Sequence, residues 1–334
     1  MIRPVTSRLH PDRLALTTIA RTDDRFVDFH PYVASVDDRG AVAFQAALAG
    51  GGSGVFAGHG QEVAQLARAD VVSHPDVGAG GDVCFYARRA DGGGALLAAR
   101  GGALQTLAET GDRLAAIGPL GPSMNGAGAV AFRASRAGGG DGIFVAAAGG
   151  VTAVAETGDR FAGFAGIPVI TGDGAVIIRA ERADGGHGIY RWRDGRRQTI
   201  AETGDRFAEL GRFPAANDRG AVVFAATLAG GGGGIFAADG GPARALIDTS
   251  AGFAGFRGAL VDDAGRVIFY ATPEGGTLGI YSGPDPVADR ILGLDGDIID
   301  LALNPVSING AGQLAIRVAR TGGEQQILRA DRGA

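Results

Sequence analysis

The sequence predicts an all-β fold, a seven-bladed β-propeller of four-stranded blades, and three observations carry that prediction. A glycine-anchored phrase recurs at Gly40, Gly81, Gly128, Gly174, Gly220, Gly265 and Gly312, spaced 41 to 47 residues apart. A period of this length, rich in strand and turn signals, is the mark of a propeller blade. Each copy runs in the same order, shown most clearly by 201–224 (AETGDRFAELGRFPAANDRGAVVF): polar loop, short strand, tight turn, apolar strand. The two ends of the chain also complement one another, because the N-terminal segment offers one lone strand and the C-terminal repeat offers three.

Within a repeat the strands are placed by pattern. In the third copy, 121–124 is the inner strand, 129–134 the second, 142–146 the third and 151–155 the outer strand. Asn125-Gly126-Ala127-Gly128 supplies the turn chemistry between the first two, as do 217–220 and 309–312, with Asp37 and Asp262 at the Asn position elsewhere. Alternation puts this turn and the third-to-outer turn on one rim, and the Gly-rich and TGDR loops on the other. Residues 1–13 read as a polar lead-in, and 14–20 (LALTTIA) as an outer strand that joins 304–308, 313–318 and 326–329 to close the ring. The whole chain, 1–334, is then a single domain.

Composition narrows the chemistry. The 334 residues contain 60 glycines at fixed offsets, and 46% of residues are apolar, enough for sheets buried between neighbours. All 31 cationic residues are arginines, which removes Schiff-base and P-loop lysines from consideration. A net charge of −5 argues against nucleic acid as a partner. The single cysteine, Cys84, excludes an internal disulfide framework and sits in an apolar strand, 83–86. Neither a signal-like apolar region nor a membrane-spanning stretch is visible, so a cytoplasmic location with no membrane partner is the expectation.

The segment 125–132 (NGAGAVAF) matches every position of the bacterial tandem-repeat family named for its NxxGxxAF repeat. Segments 217–224, 309–316 and 37–44 each miss one. With the following GIF (142–144, 234–236) and the GD loop, the chain resembles that family over nearly its whole length. The resemblance implies a propeller-like repeat architecture and no particular activity. Repeats two and four depart most from the pattern.

Three sets of residues are candidates for function. The TGDR loops repeat an acid-base pair, Asp24-Arg25, Asp112-Arg113, Asp159-Arg160 and Asp205-Arg206, which reads as a structural latch from blade to blade. Arg89, Arg136 and Arg182 (with Arg320) end their second strands on the TGDR rim, where they either bind an anion bidentately or pair with Glu109, Glu156 and Asp141. His30, Tyr32, His74 and His187 break the repeat on the same rim. Of these, His30 and His74 are the candidate general acid-base residues, and Tyr32 and His187 are candidate binding residues. No metal-ligand spacing stands out, and no metal or cofactor is expected.

Two functions follow as expectations. The first is a propeller that holds a small anionic molecule or a peptide at its Arg- and His-bearing rim. The second is a metal-independent lyase, cyclase or isomerase at that rim, with histidine moving a proton and arginine stabilising the anion. Oligomeric state is open.

Overall fold

A computed structural model describes residues 14–332, apart from Gln61 and Ala79. The lead-in expected over 1–13 lies outside the described residues. The fold is an all-β propeller. Its strands hydrogen-bond into five sheets of four or five strands and one sheet of nine. The nine-stranded sheet corrects the expectation of seven separate four-stranded blades. It arises because Val63–Val71 runs past its own repeat, and Asp70 and Val71 pair with Arg88 and Ala87 of the next. In the third repeat the second, third and outer strands are Val130–Arg136, Asp141–Ala147 and Gly150–Glu156, a residue or two longer than expected. Leu14–Arg21 pairs antiparallel with Gln325–Arg332. Among the described residues no helix is long and apolar enough to cross a membrane.

The repeated residues explain the sheets. The turn glycines all adopt φ between 77° and 86°, a region that only glycine enters cheaply. The Phe of NxxGxxAF lies opposite the aromatic residue of the next strand, as in Phe44–Phe56, Phe132–Phe144 and Phe224–Phe236. The phenylalanine after the TGDR loop meets that pair edge-on. Phe26 is 4.9 Å from Phe56, and Phe207 is 5.0 Å from Phe236. Each such cluster is buried, so three sequence motifs converge on one apolar core. Cys84 is fully buried in the same layer, and burial pushes its thiol well above the usual range.

The asparagine of the motif has a second task. Asn125 Oδ1 accepts the amides of Ala127 and Ala129 in its own turn, while its Nδ2 donates to the Thr171 carbonyl of the next repeat at 3.0 Å. Asn217 reaches the Asp262 carbonyl and Asn309 the Asp37 carbonyl in the same way, both at 2.7 Å. Each donor therefore meets a neighbour that carries Asp or Thr at the matching position. Ser123, Asp76 and Ser307 add bonds between neighbouring repeats one step deeper, to Ile170 N, Met124 N and Ala34 O.

Candidate functional site

The innermost strand of each repeat is broken or shifted in register, and these irregularities build a cavity on the axis. In the first, third and fifth repeats it splits into two pieces, for example Phe207–Leu210 and Ala215–Ala216. In the fourth and sixth it stays continuous but shifts register, between Ala165 and Val169 and between Phe256 and Gly258. Prolines explain most of the breaks, since a residue without N–H cannot serve a ladder. Pro31, Pro75, Pro119, Pro168, Pro214 and Pro305 place one there in six of the seven repeats.

The resulting cavity holds about 750 Å³, and all seven repeats contribute to it: 31–33, 72 and 74, 119–120, 167, 212–213, 257–260 and 301–305. Its wall is largely Pro, Val, Leu, Ile and Phe. It faces the TGDR rim, because the chain runs from Val33 in this cavity to Val36 and Asp37 in a smaller one, about 180 Å³, beneath the turns at the other rim. In the smaller cavity Asp38 and Asp263 accept the amides of Gly310 and Asp218 from neighbouring turns. Burial, and then the nearby Asp218 and Asp38, raise the Asp263 carboxyl above its usual range.

Close approach shapes the wall. Gly166 has φ +72°, and a Cβ there would lie 2.1 Å from the carbonyl oxygen of Arg212. Glycine at 166 therefore lets the fourth repeat press against the loop that carries Arg212. Arg212 is exposed, with its guanidinium carbon 5.7 Å from the Phe213 ring, and Arg257 of the next repeat is exposed as well. Among the described residues neither guanidinium forms an ion pair. Tyr270 lines the same cavity, but its hydroxyl is held by the Leu303 backbone, accepting from the amide at 2.5 Å and donating to the carbonyl at 3.3 Å.

Of the residues singled out from sequence, Tyr32 and His74 line this cavity together. Tyr32 is half-buried, and burial, with Asp70 nearby, raises its phenol above the ordinary value. His74 is not an exposed proton carrier. It is 3% exposed, its ring packs against the backbone of Gly121, and its Nε2 makes no hydrogen bond among the described residues. Burial lowers it to about 4, against the opposing pull of the Pro122 and Leu120 carbonyls, so the ring is neutral at pH 7. His30 lies beside the cavity, next to Pro31 of its wall. Its Nε2 is 3.1 Å from Asp300 Oδ2 and 2.7 Å from Nη1 of the buried Arg317. Arg317 also pairs with Asp300 at 3.1 Å.

The second-strand arginines lie elsewhere, and carboxylates of their own repeats hold them. Arg89 pairs with Asp91 and Glu109 at 2.8 Å, Arg136 with Glu156 at 3.3 Å, and Arg182 with Asp184 and Glu202. They do not line the axial cavity, because the second strand ends away from the axis while the broken inner strand faces it. Asp141, one of the carboxylates expected to pair with the second-strand arginines, instead holds Arg133 at 2.8 Å, which keeps its carboxyl low. His187 starts a third strand; its amide donates to Thr203 Oγ1, and its buried Nδ1 has no hydrogen-bond partner among the described residues.

The TGDR pairs also differ from the expected latch. Among the described residues Asp24, Asp112, Asp159 and Asp205 form no ion pair. Arg25 stacks over Phe26 and Phe56 at 4.8 Å, and Arg206 over Phe207 and Phe236 at 5.1 Å, all within their own repeats. Arg113 and Arg160 present their backbone carbonyls to Ala137 and Ala183. The repeat-to-repeat bonds run instead through Asn125, Asn217 and Asn309, whose amide both accepts and donates, as a carboxylate cannot.

Sequence reasoning missed Arg212, Arg257 and Arg317. One signal pointed to Arg317. The position after the NxxGxxAF motif reads Gln45, Tyr86, Arg133, Arg179, Ala225, Tyr270 and Arg317, a varied column mostly of large polar or aromatic residues in an otherwise apolar stretch. Several of these side chains bridge repeats: Arg179 Nε donates to the Leu210 carbonyl, Tyr270 holds Leu303, and Arg317 meets His30. No group of three or more His, Cys, Asp or Glu side chains is placed to hold a metal among the described residues.

No protein-family model and no curated protein matches the chain. Solved structures do resemble it. The β-propeller domain of the Trilobed protease from Pyrococcus furiosus, described as having an open velcro topology, aligns with a TM-score of 0.60 and 14% identity, over 88% of this chain and 97% of that one. An oligogalacturonate lyase in complex with manganese aligns with a TM-score of 0.64 and 11% identity, over 97% of this chain and 92% of that one. A puromycin-hydrolyzing peptidase of Mycobacterium tuberculosis aligns with a TM-score of 0.57 and 17% identity; this chain is covered over 97% of its length but spans only 56% of the peptidase. At these identities the likeness is one of fold.

Proposed function

We propose that this chain is a ligand-binding β-propeller that holds a small anionic molecule in the axial cavity on its TGDR rim. One observation carries the reading: a cavity of about 750 Å³, built by all seven repeats, has exposed guanidiniums at Arg212 and Arg257 with no ion-pair partner among the described residues. Cavities of this size, mostly apolar with a few polar groups, are the usual form of small-molecule sites. Arginine suits carboxylate or phosphate because its planar fork presents paired donors. The resemblance to the NxxGxxAF repeat family stands beside this reading and assigns no ligand. We read the pairing of Leu14–Arg21 with Gln325–Arg332 as the seal that keeps the ring, and so the cavity, in shape.

Native mass spectrometry of the protein purified from its own host, before and after denaturation, tests this reading. An anionic small molecule released on denaturation is the expected result. A bare polypeptide mass under native conditions would count against the reading.

A second reading, proton transfer in a lyase- or isomerase-type reaction, draws on His30. Its half-exposed ring beside the cavity has Arg317 and Asp300 within hydrogen-bond distance of one nitrogen. In this reading His30 moves the proton and a cavity arginine holds the developing anion. Loss of turnover of the released compound in His30→Ala, with binding retained, would favour it. Unchanged turnover would remove it.

A further inference from the structure

The chemistry of the cavity wall narrows the ligand class, given the binding reading above. We propose that the axial cavity takes an amphiphilic monoanion: a carboxylate head on Arg212 and Arg257, with an extended apolar body along the axis. Three observations combine. The two arginines come from adjacent repeats at the same depth of the inner strand, so one head group can meet both. They also differ from the second-strand arginines of the same rim, since Arg89, Arg136, Arg182 and Arg320 are each held by carboxylates. An anion arriving at Arg212 and Arg257 therefore displaces no partner.

The rest of the wall argues against a hydroxyl-rich body. Val33, Val72, Leu120, Leu278, Leu301 and Leu303 offer no donors or acceptors from their side chains. Three of the polar side chains among them are already engaged or sealed, which leaves the Tyr32 hydroxyl as the neutral polar group facing the space. Tyr270 Oη is held by the Leu303 backbone, Asn304 Oδ1 accepts the Val306 amide at 3.0 Å, and the His74 ring is buried. A sugar-like body would lose its hydration without replacement, which costs free energy for every unpaired hydroxyl. A hydrocarbon body gains by leaving water. Two exposed cations, with the neighbouring Arg179 buried and already donating to the Leu210 carbonyl, suit a single carboxylate better than a polyanion.

Calorimetric titration with three probes tests this assignment. Decanoate carries both features, 1-decanol keeps the chain without the charge, and citrate keeps charge without the chain. The wild-type protein is expected to bind decanoate more tightly than 1-decanol, and citrate not measurably. The double variant Arg212→Gln/Arg257→Gln is expected to lose about tenfold or more in decanoate affinity, as a charge-assisted pair is worth, with its affinity for 1-decanol unchanged. Both side chains are exposed, and an unaltered Tm checks that the variant is folded. Single Arg212→Gln and Arg257→Gln variants with intermediate losses would support a shared head group.

Binding of citrate but not decanoate, abolished in the double variant, would overturn the amphiphile and leave the anion-binding reading standing. Equal decanoate binding by wild type and double variant would overturn the assignment of the head group. Binding of none of the probes, together with a bare native mass, would overturn both readings.

Discussion

Nη1 of Arg317 lies 2.7 Å from Nε2 of His30 across the junction between the last repeat and the first. A guanidinium nitrogen can only donate, so this contact requires Nε2 to be the acceptor and Nδ1 to carry the proton. Asp300 stands 3.1 Å from the same Nε2 and would favour the opposite tautomer, but it has Arg317 to accept from instead. Nitrogen-15 NMR of the folded protein is expected to show neutral His30 as the Nδ1–H tautomer. In Arg317→Met the proton is expected to move to Nε2, facing Asp300. An Nε2–H tautomer in the wild-type protein would contradict the contact.

The asparagines of the motif are predicted to bind repeats together. Asn217→Ala removes the buried bond to the Asp262 carbonyl and the acceptor for the amides of Ala221, also buried, and Arg219, part-buried. Stranded polar groups of this kind cost about 1–3 kcal/mol. Chemical denaturation should show a loss of that order, whereas Asp205→Ala, in a TGDR loop without an ion pair, should change stability little. Equal losses in the two variants would return the latch to the TGDR loops.

His74 and Asp76 make opposite demands on pH. Burial lowers His74 from 6.5 to about 4, so between those values the unfolded chain binds the extra proton and stability falls as pH falls. Burial raises Asp76 from 3.8 to about 7, overcoming the amides of Met124 and Val77. There the folded chain holds the extra proton, and stability is lost as pH rises through the same window. The two contributions oppose one another across most of the range from pH 4 to 6.5. Asp76→Asn should therefore expose the His74 term, becoming less stable relative to wild type as pH drops from 6.5 toward 4, by on the order of 3 kcal/mol. A constant difference between the two proteins over that range would contradict it.

Gly166 holds the wall of the cavity at its tightest point. Gly166→Ala places a side chain at φ +72°, which costs roughly 1–2 kcal/mol for the backbone alone, and sets its Cβ against the Arg212 carbonyl. The expected outcome is a lower Tm together with weaker decanoate binding, because the loop carrying Arg212 must shift. A lower Tm with binding unchanged would separate the wall from the site.

Much of the scaffold was legible in the sequence because it repeats. Turn glycines, paired aromatics and alternating strands recur at fixed offsets, and recurrence makes a weak local signal strong. The nine-stranded sheet was not legible, since it depends on two residues, Asp70 and Val71, continuing a strand past the end of their repeat. The site was harder for the opposite reason. Arg212 and Arg257 share a column in segments where the inner strand breaks or shifts register, but it otherwise reads Tyr32, Ser73, Leu120, Gly166 and Asn304, so no common residue type marks it. Attention to the second-strand arginines found residues that do recur, and their recurrence reflects ion pairs such as Arg89–Glu109 within each repeat. Tyr32 and His74 were found because they broke the pattern. The prolines of the inner segments would have shown where to look for the rest.

Blocking the axis separates binding in the cavity from binding elsewhere on the propeller. Gly258 lines the cavity within Phe253–Val261, and a Cβ added there would meet no atom within 4 Å, so Gly258→Trp can fill the space while leaving the sheet intact. The measurement is decanoate binding by wild type and Gly258→Trp at matched Tm. Wild type is expected to bind and the variant is not. Equal binding by the two proteins would place the ligand outside the axial cavity and rule out a ligand held there by Arg212 and Arg257.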